Sequence, residues 1–417
     1  MEVDLTANDG FVSSGEFSVK IFGSDSGEPL PGARVSIYNA TDGTLIRSFT
    51  ADEAGQIPML RLEAPPLEYS LEPSLAQPYS QYNVTVEAEG YEPLEIFDAE
   101  VLPDELALQP APMTPMIEQE GLSQEIIVPG NTLFIPSQAK IPEAEIKPVT
   151  ETGEIVLSRV VIPEYVVVHD GVPSDNSAKN YHVRYPDYIK NVASSEIYAT
   201  WPDAAIRANV LAIMSFTLNR VYTEWYRGKG YDFTVTSSTA YDQKWSYGRT
   251  IYERISQVVD EMYTNYLSRP NVRQPILTQY CDGRNVSCPN WLSQWGSKNL
   301  ADQGYRAIEI LRYYYGSSMF INTAEEISGI PTSWAGELSV GSSGPKVRQL
   351  QEQLNAIANN YPAVPKVNVD GVYGPLTQAS VRQFQSIFGL PATGVVDYRT
   401  WYKISQIYVG VTGIAEL

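Results

Sequence analysis

The chain has 417 residues, 43% of them hydrophobic and 19% charged, with a formal net charge of -20 at pH 7. That length exceeds one ordinary core and predicts two to four domains. No basic stripe is available to neutralise phosphates, which argues against nucleic acid as a partner, and no apolar run is long enough to span a bilayer. The opening segment MEVDLTANDG has neither a basic n-region nor an apolar h-region, so no secretory signal is expected there.

The charge is unevenly placed. Residues 1–150 hold six Lys/Arg against 25 Asp/Glu, a net of -19, whereas the remainder holds 23 against 24. Within 1–111, the runs FSVKIF, ARVSIYNA, TLIRSFT, YNVTVEA and LEIFDAEV alternate apolar and polar residues, and GEPLPG, TDG and EAG read as turns between them. This pattern predicts an acidic all-β sandwich of about seven short strands. The stretch Val19–Gln56 resembles the carboxypeptidase-regulatory or transthyretin-like β-sandwich, a module that usually serves as a spacer or partner-binding unit. Its acidity reads as solvated surface, or as a prosegment that keeps the rest of the chain away from an anionic polymer. Residues 112–162, rich in Pro and Glu, predict an extended, protease-accessible connector whose apolar runs NTLFIP and EIVLSRVVIP are able to dock as edge strands.

Residues 163–320 predict a mixed α/β domain. Tyr165–Val168 reads as a strand, and a strand-like run through Asp187–Ser194 ends in a turn at Glu196. Pro202 is preset for the first turn of a helix over Ala204–Arg227, whose buried face takes in Ile206, Val210, Leu211, Ile213, Met214, Leu218 and Val221. Further helices are predicted over Thr250–Leu267 and Leu300–Tyr315. The two cysteines, Cys281 and Cys288, have the spacing of a small disulfide loop, remain possible free thiols, or form with the two histidines, His169 and His182, a Cys2His2 zinc site. No other metal and no cofactor is expected. Residues 333–410 carry a three-part pattern of helix, DGVYGP loop and helix. It resembles the small all-α peptidoglycan-binding domain of wall hydrolases, which implies retention on peptidoglycan glycan strands.

Glu196 is the candidate catalytic group, because a lone acid in apolar surroundings is kept protonated at neutral pH, as cleavage of a glycosidic bond requires. Asp203 is its understudy. STAYDQKW (Ser238–Trp245), ILTQYCDG (Ile276–Gly283) and WLSQWGSKNLADQGYRAIEILRYYYG (Trp291–Gly316) resemble segments of the SpoIID/LytB-type peptidoglycan hydrolases. HDGVPSD, NVASSEIYATWP and RVYTEWYRGKGYDF resemble the clostridial spore cortex-lytic enzymes of the SleC type more closely still, and those enzymes share this order of domains.

The resemblance implies lytic transglycosylation of the MurNAc–GlcNAc bond in the spore cortex or an extracellular wall. It also implies a zymogen matured by a subtilisin-like protease between Ala111 and Val160. On this reading Gln243, Gln279, Ser293 and Gln294 hold sugar hydroxyls and N-acetyl groups, and Tyr198, Trp201, Tyr241, Tyr280 and Trp295 stack on sugar rings, beside a groove long enough for several sugars. Each polar residue is equally suited to a buried loop hydrogen bond, and each aromatic to core packing. One departure stands out: the run Ala204-Ala205-Ile206-Arg207-Ala208 replaces a family Glu-Ala-Leu-Lys-Ala pattern, so a second carboxylate is absent. The competing expectation is a non-catalytic peptidoglycan-binding or spore-coat protein that kept the fold. Amidase activity ascribed to some cortex-lytic proteins finds no support in a chain with two histidines.

Overall fold

The structure, a computed structural model, describes residues 13–116, 123–147, 160–327 and 337–411, apart from residues 25, 137, 227, 228, 398, 399, 402, 405, 406, 409 and 410. The N-terminal region comprises β1 (Ser13–Gly23), β2 (Arg34–Asn39), β3 (Leu45–Thr50), β4 (Leu60–Ala64), a single helical turn α1 (Glu68–Leu71), β5 (Ser80–Glu87), β6 (Leu94–Val101), β7 (Leu106–Met113) and β8 (Gln124–Ile127). The alternating runs of β2, β5 and β6 form strands because they put apolar residues on one face, with Val35 and Ile37, Val84 and Val86, and Leu94 and Ile96 fully buried, whereas β3 at the sheet edge leaves Leu45 and Ile46 exposed. One sheet has the order β3-β2-β5-β6-β8. Strand β7 was not expected, since it contains Pro110 and Pro112; it nevertheless pairs in parallel with β1 over Glu16–Gly23. It also carries the sandwich two residues beyond the expected boundary at 111, and β8 adds a further strand from within the expected connector.

The central region follows with β9 (Val161–Pro163), β10 (Tyr165–His169), β11 (Asn180–Arg184), α2 (Tyr185–Glu196), α3 (Asp203–Tyr222), β12 (Val235–Thr236), β13 (Ile251–Tyr252) and α4 (Glu253–Met262). It closes with β14 (Asn265–Ser268), β15 (Tyr280–Cys281), β16 (Leu292–Ser293), α5 (Gln294–Asp302), α6 (Ala307–Tyr315), β17 (Phe320–Thr323) and β18 (Glu325–Ile327). The strand-like run before Glu196 is a helix. Pro186 presets its first turn, and Tyr188, Ile189, Val192, Ala193 and Glu196 recur at helical spacing on its buried side. Helix α3 is buried on all sides, with only Asp203, Ala204 and Arg207 outside the core.

The expected helix over Thr250–Leu267 is interrupted at both ends by strand pairing. Ile251 and Tyr252 join β7 of the sandwich, and Asn265–Ser268 pairs with β17. The expected third helix divides at Gly304, whose φ of 86° ends α5. The C-terminal module has its own core, in which α7 (Pro345–Asn360) and α8 (Pro375–Ile387) pack Val347, Leu350, Leu354, Val381 and Phe384 around Trp401.

The sandwich and the central region share one continuous apolar core that runs from Phe17 and Val35 to Ile213 and Leu311. Strand β13 extends the four-stranded sheet β13-β7-β1-β4 across the junction. A buried ion pair joins Glu100 of β6 to Arg249, and Arg249 also donates to the carbonyls of Pro129 (2.6 Å) and Ser194 (2.8 Å). The run Asn131–Pro136 is a turn and not the docked strand expected of it, and of the expected strand run around Val160 residues 154–159 lie outside the described residues. Removing one partner of a buried, hydrogen-bonded pair leaves the other charge unpaired, at a cost of about 3–5 kcal/mol. Glu100→Ala is therefore expected to lose about that much in denaturant unfolding, with the sandwich and the central region melting in one calorimetric transition and the C-terminal module in another. Separate transitions for sandwich and central region would contradict the shared core.

Candidate active site

Glu196 is the last residue of α2 and is 2% exposed. A helix end leaves carbonyls without partners inside the helix, and here neighbouring segments supply them. Asn131 Nδ2 donates to the carbonyls of Ser194 (3.2 Å) and Ile197 (3.1 Å), Thr132 N to Ser195 O (2.9 Å), and Gln294 Nε2 to Glu196 O (3.1 Å). The Glu196 carboxyl accepts from Lys244 N through Oε1 at 2.7 Å. Its Oε2 is buried without a well-formed hydrogen bond, and the Tyr280 hydroxyl approaches the carboxyl.

The proton on that tyrosine is directed by its neighbours. Gln243 Oε1 accepts from Thr217 Oγ1 (2.8 Å) and contacts Tyr188 Oη at 3.2 Å, so its amide nitrogen faces Ile213 O and Tyr280 Oη, both at 3.1 Å. Tyr280 Oη thus accepts from Gln243 and has its own hydrogen free for Glu196. Burial pushes the Glu196 carboxyl above its ordinary range; the Lys140 ammonium, the Lys244 N–H and the Tyr280 hydroxyl oppose that rise.

Lys140 reaches this site from outside the central region. Its Nζ donates to Asp242 O and lies 4.5 Å from the Tyr280 ring centroid and 5.5 Å from that of Phe216. Burial lowers its pKa, against the pull of Glu196 and Asp242. Beneath it Asp242, fully buried, accepts from Arg220 Nε (2.7 Å), Tyr226 Oη (2.7 Å), and Thr236 N (2.8 Å) and Oγ1 (2.7 Å). Asp242, Arg220, Tyr188 and Lys140 were missed in the sequence. Asp242 stands inside the quoted STAYDQKW segment, between two residues that were chosen, whereas nothing local marks Lys140.

The remaining sequence-predicted residues divide clearly. Gln243, Tyr280 and Gln294 gather around Glu196 as buried donors and acceptors, and Gln279, next to Tyr280 in sequence, is buried but bonds elsewhere. Gln279 pairs with the backbone of residues 141–143, and Ser293 caps α5 by accepting from Gly296 N at 2.9 Å. Tyr198, Trp201 and Trp295 form a buried aromatic cluster with centroids 5.0–6.1 Å apart, so they serve the core and not an open sugar platform. Tyr241 is half-buried, with its carbonyl on Arg220. Asp203 lies apart from this cluster in an exposed pair with Arg207 (2.6 Å), which also binds Glu261 of α4.

Among the described residues Glu196 is enclosed and does not face the expected open groove: Asn131 and Thr132 sit on the carbonyls of its helix end, and Lys140 lies beside its carboxyl. Cys281 and Cys288 form a disulfide, which removes them as zinc ligands, and His169 stacks on Phe233 with its Nδ1 on Asn180. The disulfide loop packs tightly because Gly283, at φ 76°, has no Cβ; one there would meet Ser293 Oγ at 1.9 Å. An open cleft of about 620 Å³ lies in the C-terminal module between α7 and the 370–372 loop and is lined by Arg348, Glu352 and Asp370.

The family described as "Stage II sporulation protein" matches residues 175–268, and that described as "Putative peptidoglycan binding domain" matches residues 343–404. The chain therefore carries a SpoIID domain followed by a C-terminal peptidoglycan-binding domain. An uncharacterised protein of Kitasatospora aureofaciens is 34% identical over 90 residues, 21% of this chain and 72% of the relative. The zinc D-Ala-D-Ala carboxypeptidase of Streptomyces albus G is 43% identical over 76 residues, 18% of this chain, and the match spans 28% of that enzyme's length. The solved SleB N-terminal domain is 32% identical, covering 17% of this chain and 92% of that structure, with a TM-score of 0.15. No helix among the described residues is long and apolar enough to cross a membrane.

Removing the Tyr280 hydroxyl takes away one of the groups that lower the Glu196 pKa. Tyr280→Phe is therefore expected to move the Glu196 titration to higher pH, read from the side-chain carboxyl carbon by NMR. An unchanged midpoint would contradict the contact.

Proposed function

We propose that this SpoIID protein is a spore cortex-lytic enzyme that cuts the glycan strand by lytic transglycosylation, with Glu196 as acid and then base. The observation that carries the reading is a carboxyl with a raised pKa, held at Oε1 by a backbone N–H while Oε2 has no well-formed hydrogen bond. A protonated Glu196 donates to the glycosidic oxygen as the MurNAc C1–O bond breaks. The resulting carboxylate then takes the proton of the C6 hydroxyl of that MurNAc, whose oxygen closes on C1 as a 1,6-anhydro ring. Proton and charge balance, and no water is consumed. One carboxyl suffices because the substrate supplies the nucleophile, which accommodates Ala204 where a second acid is absent.

The C-terminal cleft keeps the enzyme on the polymer. Asn131, Thr132 and Lys140 cover the site in the intact chain, and proteolysis by a subtilisin-like enzyme is the step that lets the wall polymer compete for it, which supports the zymogen reading. General acid–base groups contribute about 10²–10⁴-fold. Glu196→Gln in the processed enzyme is expected to lower the yield of anhydro-muropeptides from purified cortex by at least about 100-fold, read by mass spectrometry, with retention on peptidoglycan unchanged. Full activity in that variant would remove the assignment. No anhydro product from wild-type protein, whether intact or processed, would favour a non-catalytic wall-binding protein.

A further inference from the structure

Residues 131–147 touch the Glu196 site at every level. Asn131 and Thr132 cap the end of α2, and Ile141 N donates to Ala240 O at 2.7 Å. The Gln279 side chain then pairs with the segment through both its atoms: Nε2 donates to Ile141 O (2.8 Å) and Oε1 accepts from Glu143 N (3.0 Å). Gln279 thus bonds two successive peptide groups of the segment, so the segment takes up a donor and an acceptor of the kind that suits sugar hydroxyls and N-acetyl groups. Glu143 pairs with Arg220, Glu145 with Arg269 at 2.7 Å, and Lys147 N with Gln274 Oε1 at 3.0 Å.

Lys140 is the member with no bonded carboxylate of its own. Its buried ammonium rests on one carbonyl and two ring faces, in the field of Glu196. A buried ammonium is costly unless it is compensated, and only this seat supplies that compensation.

The part of the chain upstream of the segment is also fixed. Gln109 Nε2 donates to Gly248 O at 2.8 Å, β7 pairs with β13, Glu100 pairs with Arg249, and the apolar core is continuous.

We propose that residues 131–147 are a built-in, non-covalently held occupant of the glycan site, keyed by Lys140, so that cutting the backbone between 148 and 159 does not by itself open that site. The inference deepens the reading of Glu196 as a glycan-cleaving group and rests on it for the identity of the displaced ligand. After the cut, the strap remains tethered to a sandwich that does not leave, at the millimolar effective concentration of a short linker. A long strand, bound at several points and anchored by the C-terminal module, displaces it; a short one does not.

The test places a single engineered protease site within 148–159 of the full chain. After cutting, the two pieces are expected to co-migrate in size-exclusion chromatography, and exchange at 138–147 is expected to stay within about twofold of the intact chain. Lys140→Ala in the cut protein is expected to raise exchange at 138–147 at least tenfold. It should also let a GlcNAc-MurNAc tetrasaccharide protect residues 276–283, which the parent does not show. Lys140→Met, which keeps the apolar stem, serves if the alanine variant is unstable. Separation of the pieces on cutting, or unchanged exchange and tetrasaccharide protection in both variants, would overturn the proposal. Gained tetrasaccharide protection without any anhydro product would uphold the strap and remove the lytic assignment of Glu196.

Discussion

A carboxyl shut away from water at the end of a helix costs free energy unless its surroundings are built for it, and the centre of this protein is arranged around that cost. Lys244 N–H takes one oxygen of Glu196, a directed tyrosine approaches the carboxyl, and an ammonium arrives from a distant part of the chain. The balance leaves the pKa raised, because desolvation outweighs the three compensating groups. The proposed function rests on that balance, since a carboxyl so held suits proton transfer in a way that a fully ion-paired carboxylate does not.

The surrounding scaffold follows from the need to pair buried polar groups. Helix α3 passes through the core on all sides, so its polar residues become the anchor points for loops: Asn209 donates to Ser297 (2.7 Å), Ser215 to Ile276 O (3.0 Å) and Asn219 to Pro275 O (2.7 Å). Arg220, at its C-terminal end, gathers Asp242 and Glu143, one partner from the central region and one from residues 131–147. The N-terminal sandwich is consequently part of the same core as the site. Arg249 ties Glu100 of its sheet to the Ser194 carbonyl at the end of α2, next to the carbonyls that Asn131 caps.

Much of this was legible in the sequence. Alternating apolar runs located most sandwich strands; the patterning around Pro202 located the long helix; the C-terminal repeat of helix, tight loop and helix located the module with Trp401 at its centre. What was not legible depended on contacts between distant segments. Strand β7 carries two prolines that argue against a strand, and only parallel pairing with β1 overrides them. Ile251 and Tyr252 continue a helical pattern locally, yet they are drawn into the sandwich sheet. The aromatics Tyr198, Trp201 and Trp295 have the composition of a sugar platform, and burial alone assigns them to the core. Lys140, in a Pro- and Glu-rich stretch, carries no local mark of its seat beside Glu196, because that seat is made by residues a hundred positions further on.

The central claim is that Glu196 is a proton-transfer group kept under residues 131–147 and uncovered by their displacement. Carbodiimide footprinting of carboxyl groups, read by mass spectrometry on the full chain with and without cortex glycan strands, tests it most directly. The account predicts that Glu196 is unreactive in the free protein and becomes labelled when glycan lifts the strap in a chain cut between 148 and 159, while the buried Glu100 stays protected throughout. Labelling of Glu196 in the free intact protein, or its complete protection under every condition in which the wall polymer is being cleaved, would contradict it.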